Sequence, residues 1–184
     1  MMAGMTVPIL FDQDLIRQHR QRAAPSYADF SFLKDAAAAR LADRLELMRR
    51  DFDLCLDVGA HDKRLAQHFA RLGKLGHIIH TDPAEKFATC TKQHGPSVVH
   101  ALCELPFKPE SFDAVFSCLS LHWVDDLPGL LMQARHLLRP DGLLLVSLLG
   151  GNSLTELKQA LAEAEQDITG GFSPRCAPMA DIRD

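Results

Sequence analysis

Short apolar runs alternate with amphipathic segments along most of the chain. The runs are typical of strands, whereas the segments that repeat apolar positions at spacings of three and four are typical of helices. Strands are predicted at residues 53–58, 77–81, 97–102, 112–121 and 143–149. Helices are predicted at residues 32–48, 62–72, 84–93, 126–140 and 153–166. For the last helix, Ser153 and Glu156 have the spacing of a capping box.

This alternation predicts an α/β fold. A strand followed by a helix and then another strand forms a parallel pair with a right-handed crossover. We therefore expect a Rossmann-like, doubly wound parallel sheet of about five strands with helices on both faces. The continuous apolar run at residues 114–118 indicates a strand buried on both faces.

The two ends of the chain differ from its centre. Residues 1–25 are expected to form an N-terminal arm that holds Arg17, Arg20 and Arg22. Such a cation cluster usually forms a solvated surface, and a phosphate- or acid-binding role is the alternative. Residues 26–166 are the predicted α/β domain. Residues 167–184 are rich in glycine and proline and are predicted to be a loop.

Composition limits the class of protein. With 184 residues and 47% hydrophobic content, the chain suits one domain with a substantial core. Its formal net charge of −4 argues against general nucleic-acid binding. The five cysteines show no C-x-x-C spacing, which favours free thiols in a reducing compartment. The sequence shows neither a membrane span nor a signal peptide, so a cytoplasmic protein is expected.

A single glycine follows the first predicted strand. In such folds ligands bind beyond the carboxyl ends of the strands, where glycines let the backbone approach them. Here Gly59 is retained, but His61 and Lys63 stand where further glycines are expected. Asp57 either receives a ligand's amino group through water or accepts amide hydrogens of the loop. Asp82 follows the second strand and is expected to bind ribose hydroxyls, with helix capping as the alternative.

The segment SCLSLHWVDDLP follows the fourth strand, where a substrate would lie. It holds His122 and Trp123, the one tryptophan of the chain. Substrate binding by these two residues is one hypothesis, and a structural or core role is the other. The sequence shows no catalytic triad, clustered metal ligands or phosphate loop, so no metal is expected.

Several segments together resemble a known family. LDVG, TD, LPFKPESFDAVFSCLSLHWVDDLP and LLRPDGLLLVSLLGGNSLTEL occur in the order found in class I S-adenosylmethionine-dependent methyltransferases of the type 11 group. FDQDLIRQHRQRAA, FSFLKDAAAARLADRL and GGFSP extend the match. They closely resemble the mitochondrial complex I assembly factor 5 family, whose mitochondrial member is an arginine hydroxylase. A more distant resemblance is to the malonyl-carrier-protein methyltransferase of biotin synthesis.

The resemblance implies S-adenosyl-L-methionine as cofactor and S-adenosylhomocysteine as its product. The glycine loop would hold the methionine part of the cofactor, and the residues after the second strand would bind its ribose. The residues after the third strand would contact the adenine edge, and those after the fourth strand would line the cofactor. The implied cofactor residues are Asp57, Gly59, Ala60, His61, Asp82, Pro83, Leu102, Cys103, Leu119 and Ser120. Because His61 and Lys63 add side chains to the loop, cofactor binding is expected to be weak.

Three functions follow from the resemblance and from its departures. The chain could transfer a methyl group to a protein or small-molecule acceptor. It could be an arginine-hydroxylase-type assembly factor that acts on a respiratory complex I subunit. It could also be a degenerate, non-catalytic binding domain, because Ala101 replaces an acidic residue and the family's last two strands are not found. Residues 143–149 would then border the sheet and favour a homodimer through this edge.

Overall fold

The protein is described here from a computed structural model that covers residues 9–171, 173, 176–177 and 179–180. The chain divides into two compact units, Met1–Leu148 and Leu149–Asp184. The sheet lies in the first unit, with strands β1 (Phe52–Val58), β2 (Leu75–Asp82), β3 (Ser97–Val99), β4 (Phe112–Cys118) and β5 (Leu138–Ser147). Its helices are α1 (Gln13–Ala23), α2 (Tyr27–Phe30), α3 (Phe32–Glu46), α4 (Arg64–Ala70), α5 (Glu85–Thr91) and α6 (Leu127–Leu137).

The sheet has five strands in the order β3-β2-β1-β4-β5, and every paired strand runs parallel to its neighbour. The predicted doubly wound α/β fold is confirmed. Strand order reverses between β1 and β4, which makes the crevice beyond these two strands the expected ligand site of the fold. Gly59 directly follows β1, and Leu119 directly follows β4.

Two hydrophobic clusters cover the two faces of the sheet. Successive side chains of a strand point to opposite faces, so β1 gives Cys55 to one cluster and Leu56 to the other. The first cluster is completed by helices α3 and α4, where Leu45 and Phe69 are fully buried. The second is completed by α6, including Leu130. Helices on both faces bury the central strands β1 and β4 and fix the positions of their ends.

Several predicted boundaries are wrong in detail. Pro140 does not end the helix before β5, because α6 already ends at Leu137 and β5 begins at Leu138. Between Phe112 and Ala114 of β4, the pairing on β5 jumps from Leu138 to Leu143. The residues 139–142 therefore form a bulge, a place where a proline without an N–H is tolerated. The third strand is also shorter than predicted and ends at Val99.

The buried face of α3 does not include every apolar residue of the predicted helix. Phe32 and Leu33, the first two residues of that helix, are 80% and 52% exposed. The buried positions are Lys34, Ala38, Leu41, Ala42 and Leu45. They recur at helical spacing, and the first of them is a lysine. The helix thereby places a cationic side chain inside the unit.

The second unit contains the helix α7 (Thr155–Thr169). It continues three residues beyond the predicted end of the last helix, and Gly170 ends it in the left-handed conformation at φ 68°. The predicted capping box is not formed, since Leu154 occupies the N-cap position and no side chain caps the helix. Of the predicted tail, residues 172, 174–175, 178 and 181–184 lie outside the described part of the chain.

Within the described residues, no helix is both long enough and apolar enough to cross a membrane. The strand β5 pairs with β4 and has no second neighbour in the described sheet. The exposed backbone groups of such a border strand can pair with another chain. Self-association through residues 143–149 stays a prediction.

We expect light scattering of the purified 184-residue chain to give a mass above that of the monomer that rises with concentration, because the edge of β5 offers unpaired N–H and C=O groups. A monomer mass that is constant over the whole concentration range would contradict this prediction.

Candidate functional site

The turn after β1 requires a glycine. Gly59 has φ 68°, a left-handed conformation that costs L side chains about 1–2 kcal/mol. A Cβ placed there would lie 2.5 Å from the Cβ of Ser120 and 2.9 Å from the Cδ2 of Leu102. The Ser120 hydroxyl donates to the Gly59 carbonyl at 2.5 Å. The turn is thereby held against the segment that follows β4, at the point where strand order reverses.

Asp82, at the end of β2, is the most heavily bonded carboxylate of the site. It is fully buried, and its Oδ1 accepts from the backbone N–H of Ala84 at 2.9 Å. Its Oδ2 accepts from the backbone N–H of His61 at 2.9 Å. Arg20 of α1 donates to both oxygens, with Nη2–Oδ2 at 2.7 Å and Nε–Oδ1 at 3.3 Å. The carboxylate thus joins the glycine loop, the start of α5 and the N-terminal helix.

Arg20 corrects the expectation that the N-terminal arginines form a solvated surface. Arg17 pairs with Asp14 at the surface and Arg22 is exposed, as expected. The Arg20 side chain, in contrast, is only 7% exposed and forms a buried ion pair. The described part of the arm contains the helix α1, which Asp12 caps by accepting from the N–H of Leu15.

His61 fills the space beyond the glycine turn. Its ring is 8% exposed, stacks on Tyr27 with centroids 5.3 Å apart, and meets Phe87 edge to face at 5.2 Å. Two cations face its Nδ1, since Arg20 Nη2 lies at 3.1 Å and Lys34 Nζ at 3.0 Å. The same nitrogen also lies 3.0 Å from the Gly59 carbonyl and 3.1 Å from the Ser120 hydroxyl, so four polar groups surround it.

The surroundings of His61 keep it neutral. Burial, followed by the charges of Lys34 and Arg20, lowers its pKa well below 6.5. His122 is in a similar position, because burial and the charges of Arg20 and Lys34 lower its pKa to about 4. Its Nδ1 is buried and has no hydrogen-bond partner among the described residues.

Lys34 is the cation that α3 buries. Its Nζ donates to the carbonyl of Cys118 at 3.2 Å and to His61, and it forms no ion pair with a carboxylate of the described residues. Burial lowers the pKa of its amine. Lys63, which the sequence placed in the loop as an obstacle to the cofactor, is exposed instead. The cations of this site are therefore Arg20 and Lys34.

A buried pair lies below the loop. Asp57 of β1 and His80 of β2 face each other across the sheet, with Asp57 Oδ2 and His80 Nδ1 3.1 Å apart. Asp57 Oδ1 and His80 Nε2 have no partner among the described residues. An unpaired buried carboxylate oxygen is costly unless a donor from a water or ligand reaches it. Asp57 therefore keeps one acceptor available beneath the turn at Gly59.

The other predicted residues lie around these groups. Ala60 is buried and donates from its N–H to the Thr81 carbonyl, and Pro83 is buried next to Asp82. Leu102 is buried against Gly59, whereas Cys103 is half-buried. Leu119 is half-buried with φ 49°.

Trp123 is not a core residue. It is 37% exposed, its ring meets Phe11 edge to face at 5.7 Å, and its carbonyl accepts from Gln13. The tryptophan thus contacts the segment that leads into α1.

A cavity of about 520 Å³ borders Pro83, the residue after Asp82. Residues of α1, of α5 and of the end of β3 line it: Arg17, Gln18, Gln21, Arg22, Glu85, Lys86 and Val99. The acid-binding alternative for the arginines of the arm fits Arg20, which pairs with Asp82. Sequence reasoning missed Tyr27, Lys34 and Phe87 as site residues, because only tertiary packing brings them to the loop.

Comparison with known proteins agrees with this fold. Residues 56–146 match the family model described as a methyltransferase domain. A crystal structure of 1,6-didemethyltoxoflavin-N1-methyltransferase from Burkholderia thailandensis, with bound S-adenosylhomocysteine, matches 89% of this chain and 83% of its own with a TM-score of 0.56 and 21% identity. The chain therefore contains a methyltransferase-type domain with the Rossmann-like fold.

Relatives with curated names match over most of the chain. The protein is 38% identical over 180 residues to the mitochondrial arginine-hydroxylase NDUFAF5 of Mus musculus, which covers 95% of this chain and 52% of the relative. It is 33% identical over 163 residues to the malonyl-[acyl-carrier protein] O-methyltransferase of Xylella fastidiosa, covering 85% of this chain and 55% of the relative. The family resemblance of the sequence is confirmed. The chain spans about half the length of these relatives.

The expectation of a cytoplasmic protein is corrected by the same comparison. The similar proteins of mouse, rat and human all carry the designation mitochondrial. Cysteine usage could not reveal this, because it reports the redox state of a compartment and not which compartment it is.

The steric role of Gly59 gives a test with a matched control. Gly59→Ala should lower the free energy of unfolding by about 3 kcal/mol, because the new methyl group meets Ser120 and adopts a left-handed φ. Gly73→Ala has nearly the same φ, 63°, but no atom within 4 Å, and should cost only about 1 kcal/mol. Urea titration of both variants measures the difference, and equal losses would show that the contact with Ser120 does not constrain the turn.

The neutral histidines predict how stability depends on pH. In the unfolded chain His61 takes up a proton when the pH falls below its ordinary pKa of 6.5, whereas in the folded chain it stays neutral. The contribution of neutral His61 to the free energy of unfolding is therefore fully present above this pH and is lost as the pH falls. Between about pH 7.5 and pH 5.5, His61→Gln should lose about 1 kcal/mol less unfolding free energy than the unmodified protein. His19→Gln, at an exposed site on α1, is the control and should follow the unmodified protein. Identical pH profiles for all three proteins would contradict the neutral state of His61.

Proposed function

We propose that this chain binds S-adenosyl-L-methionine and belongs to an enzyme that transfers its methyl group to a protein or small-molecule acceptor. The observation that carries the proposal is Asp82, a buried carboxylate at the end of β2, positioned beside the glycine turn where strand order reverses. An acidic residue in this position of such folds accepts hydrogen bonds from ribose hydroxyls.

Two further features fit the cofactor. The free Oδ1 of Asp57 can accept a hydrogen bond from an amino group such as that of the methionine part. The turn at Gly59 brings bare backbone to the crevice. On this proposal, Asp57, Gly59, Ala60 and His61 lie around the methionine part, and Asp82 and Pro83 around the ribose.

The remaining residues suit the adenine edge and the acceptor. Leu102 and Cys103 would contact the adenine, and Leu119 and Ser120 the cofactor as it crosses the end of β4. His122 and Trp123 would line the acceptor side. When bound, the cofactor supplies a methyl group already activated by the sulfonium. The contribution of the protein is then mainly alignment, since no strong base is needed unless the acceptor carries a proton.

The electrostatics of the site support weak binding. Arg20 and Lys34 are buried next to His61 and put positive charge where a sulfonium would bind. Like charges in low-dielectric surroundings repel strongly. S-Adenosylhomocysteine lacks the sulfonium charge and should bind more tightly than the cofactor, which makes it the appropriate probe.

A second function is favoured by the similarity to the mitochondrial arginine-hydroxylase NDUFAF5, which covers 95% of this chain. On this alternative the same fold would belong to a hydroxylase-type factor with a respiratory complex I subunit as its partner. Mass spectrometry of a candidate acceptor separates the two functions, since methyl transfer adds a methylene group to the mass and hydroxylation adds an oxygen atom.

We expect Asp82→Asn to weaken S-adenosylhomocysteine binding at least tenfold in calorimetry, because an amide replaces one of the two acceptor oxygens by a donor. The control is Asp113→Asn at the start of β4, whose carboxylate also accepts from an arginine, Arg139, and from a backbone N–H, that of Leu54. Its affinity should be unchanged. Equal affinities of both variants and the unmodified protein would show that Asp82 does not bind the ligand. Absence of binding by the unmodified protein would favour the non-catalytic alternative.

A further inference from the structure

The carboxylate of Asp82 is saturated. An ionised carboxylate offers about four lone-pair positions. Two are used by the backbone N–H groups of Ala84 and His61, each at 2.9 Å, and two by the guanidinium of Arg20. In this arrangement no acceptor position is left for a pair of ribose hydroxyls.

The two kinds of donor differ in how easily they can be replaced. The N–H of His61 belongs to the turn fixed by Gly59, and the N–H of Ala84 belongs to the residue that starts α5. Removing either N–H from Asp82 would require the backbone next to β1 or β2 to move. The guanidinium, in contrast, reaches Asp82 from a helix 62 residues away in the chain. It is the partner that a ribose can displace.

Arg20 is the only buried residue of the helix α1. The residues before α1 are held separately, since Asp125 Oδ1 accepts from the N–H groups of Leu10 at 2.7 Å and Phe11 at 3.0 Å, and the Phe11 ring lies against that of Trp123. The other contacts of α1 itself are at the surface: Gln21 accepts from the N–H of Lys86 at 3.2 Å, and Gln13 donates to the carbonyl of Trp123 at 3.2 Å. Exposed hydrogen bonds of this kind contribute little to docking, because water replaces them readily.

The environment of Arg20 also favours its release. Arg20 Nη2 and Lys34 Nζ both face the single Nδ1 of His61, so two buried cations share one neutral acceptor. Departure of Arg20 would leave Lys34 Nζ, the Ser120 hydroxyl and the Gly59 carbonyl around this nitrogen. The cavity beside Pro83 is lined by Arg17, Gln18 and Gln21 of the same helix, so that movement of α1 would open the path to Asp82.

We propose that residues 9–23 form a strap closed by the ion pair between Arg20 and Asp82, and that the ribose of the cofactor competes with this strap for Asp82. This inference rests on the proposed function, since it takes the ligand to be one that carries a ribose. Two groups that compete for one site are coupled reciprocally: closing the strap weakens cofactor binding, and binding the cofactor releases the strap. The affinity measured for the intact protein is the affinity of the open form multiplied by the fraction of molecules whose strap is open.

Opening the strap by mutation tests the coupling. Arg20→Met removes the charge but keeps an unbranched stem of similar reach. We expect calorimetry to show at least tenfold tighter S-adenosylhomocysteine binding to this variant than to the unmodified protein. His19→Met, at an exposed position of the same helix that does not line the cavity, should leave the affinity unchanged. Circular dichroism verifies that both variants are folded.

A second measurement uses the unmodified protein, so it does not depend on how Arg20→Met folds. Hydrogen exchange at the amides of α1 should become faster when S-adenosylhomocysteine is added, because the ligand releases the strap. In Arg20→Met these amides should exchange fast from the start, and the ligand should change them little.

The outcomes separate the strap from the proposed function. Equal or weaker binding by Arg20→Met, or protection of α1 by the ligand, would overturn the strap while leaving the cofactor site in place. In the case of weaker binding, Arg20 would be a ligand contact. Absence of binding by both the unmodified protein and a folded Arg20→Met would overturn the cofactor site and the strap together.

Discussion

The carboxylate of Asp82 is the group on which the site depends. It lies at the end of a central strand and accepts from three parts of the chain that are far apart in sequence: α1, the turn after β1 and the start of α5. A fully buried carboxylate is stable only if donors surround it. Removing one partner of such a buried pair typically costs about 3–5 kcal/mol. The loop, the start of α5 and the arm are therefore linked through the need to satisfy one charge.

The cations of the site show a conflict between stability and function. Lys34 occupies a position of α3 that the helical pattern reserves for an apolar side chain, and it has no carboxylate partner among the described residues. A buried lysine without a counter-ion destabilises the fold, and its lowered pKa reflects the same cost. Charges retained at such a cost commonly mark a functional site. The carbonyl of Cys118 and the neutral ring of His61 reduce the cost without removing it.

The retained glycine and the lost glycines have different consequences. Gly59 lies where a Cβ would meet Ser120, so the turn cannot accept a larger residue without a shift of the chain. His61 has φ 55°, yet its ring is packed between Tyr27 and Phe87 and hydrogen-bonded on Nδ1. Its strain is offset by these contacts. The histidine that stands where a glycine was expected is thus part of the packing of the first unit. One of the residues that pack against it, Tyr27, comes from the N-terminal part of the chain.

The alternating pattern of the sequence determined the sheet, its parallel order and the positions of Gly59, Asp57 and Asp82 at strand ends, because burial between two layers of helices imposes the period of each element. It did not determine the site. The bulge at residues 139–142, the buried face of α3 and the pairing of Arg20 with Asp82 depend on partners far along the chain, and local periodicity reports none of them. Among three similar arginines of one arm, only tertiary packing decided that Arg20 is buried, because the carboxylate that needs it lies 62 residues away.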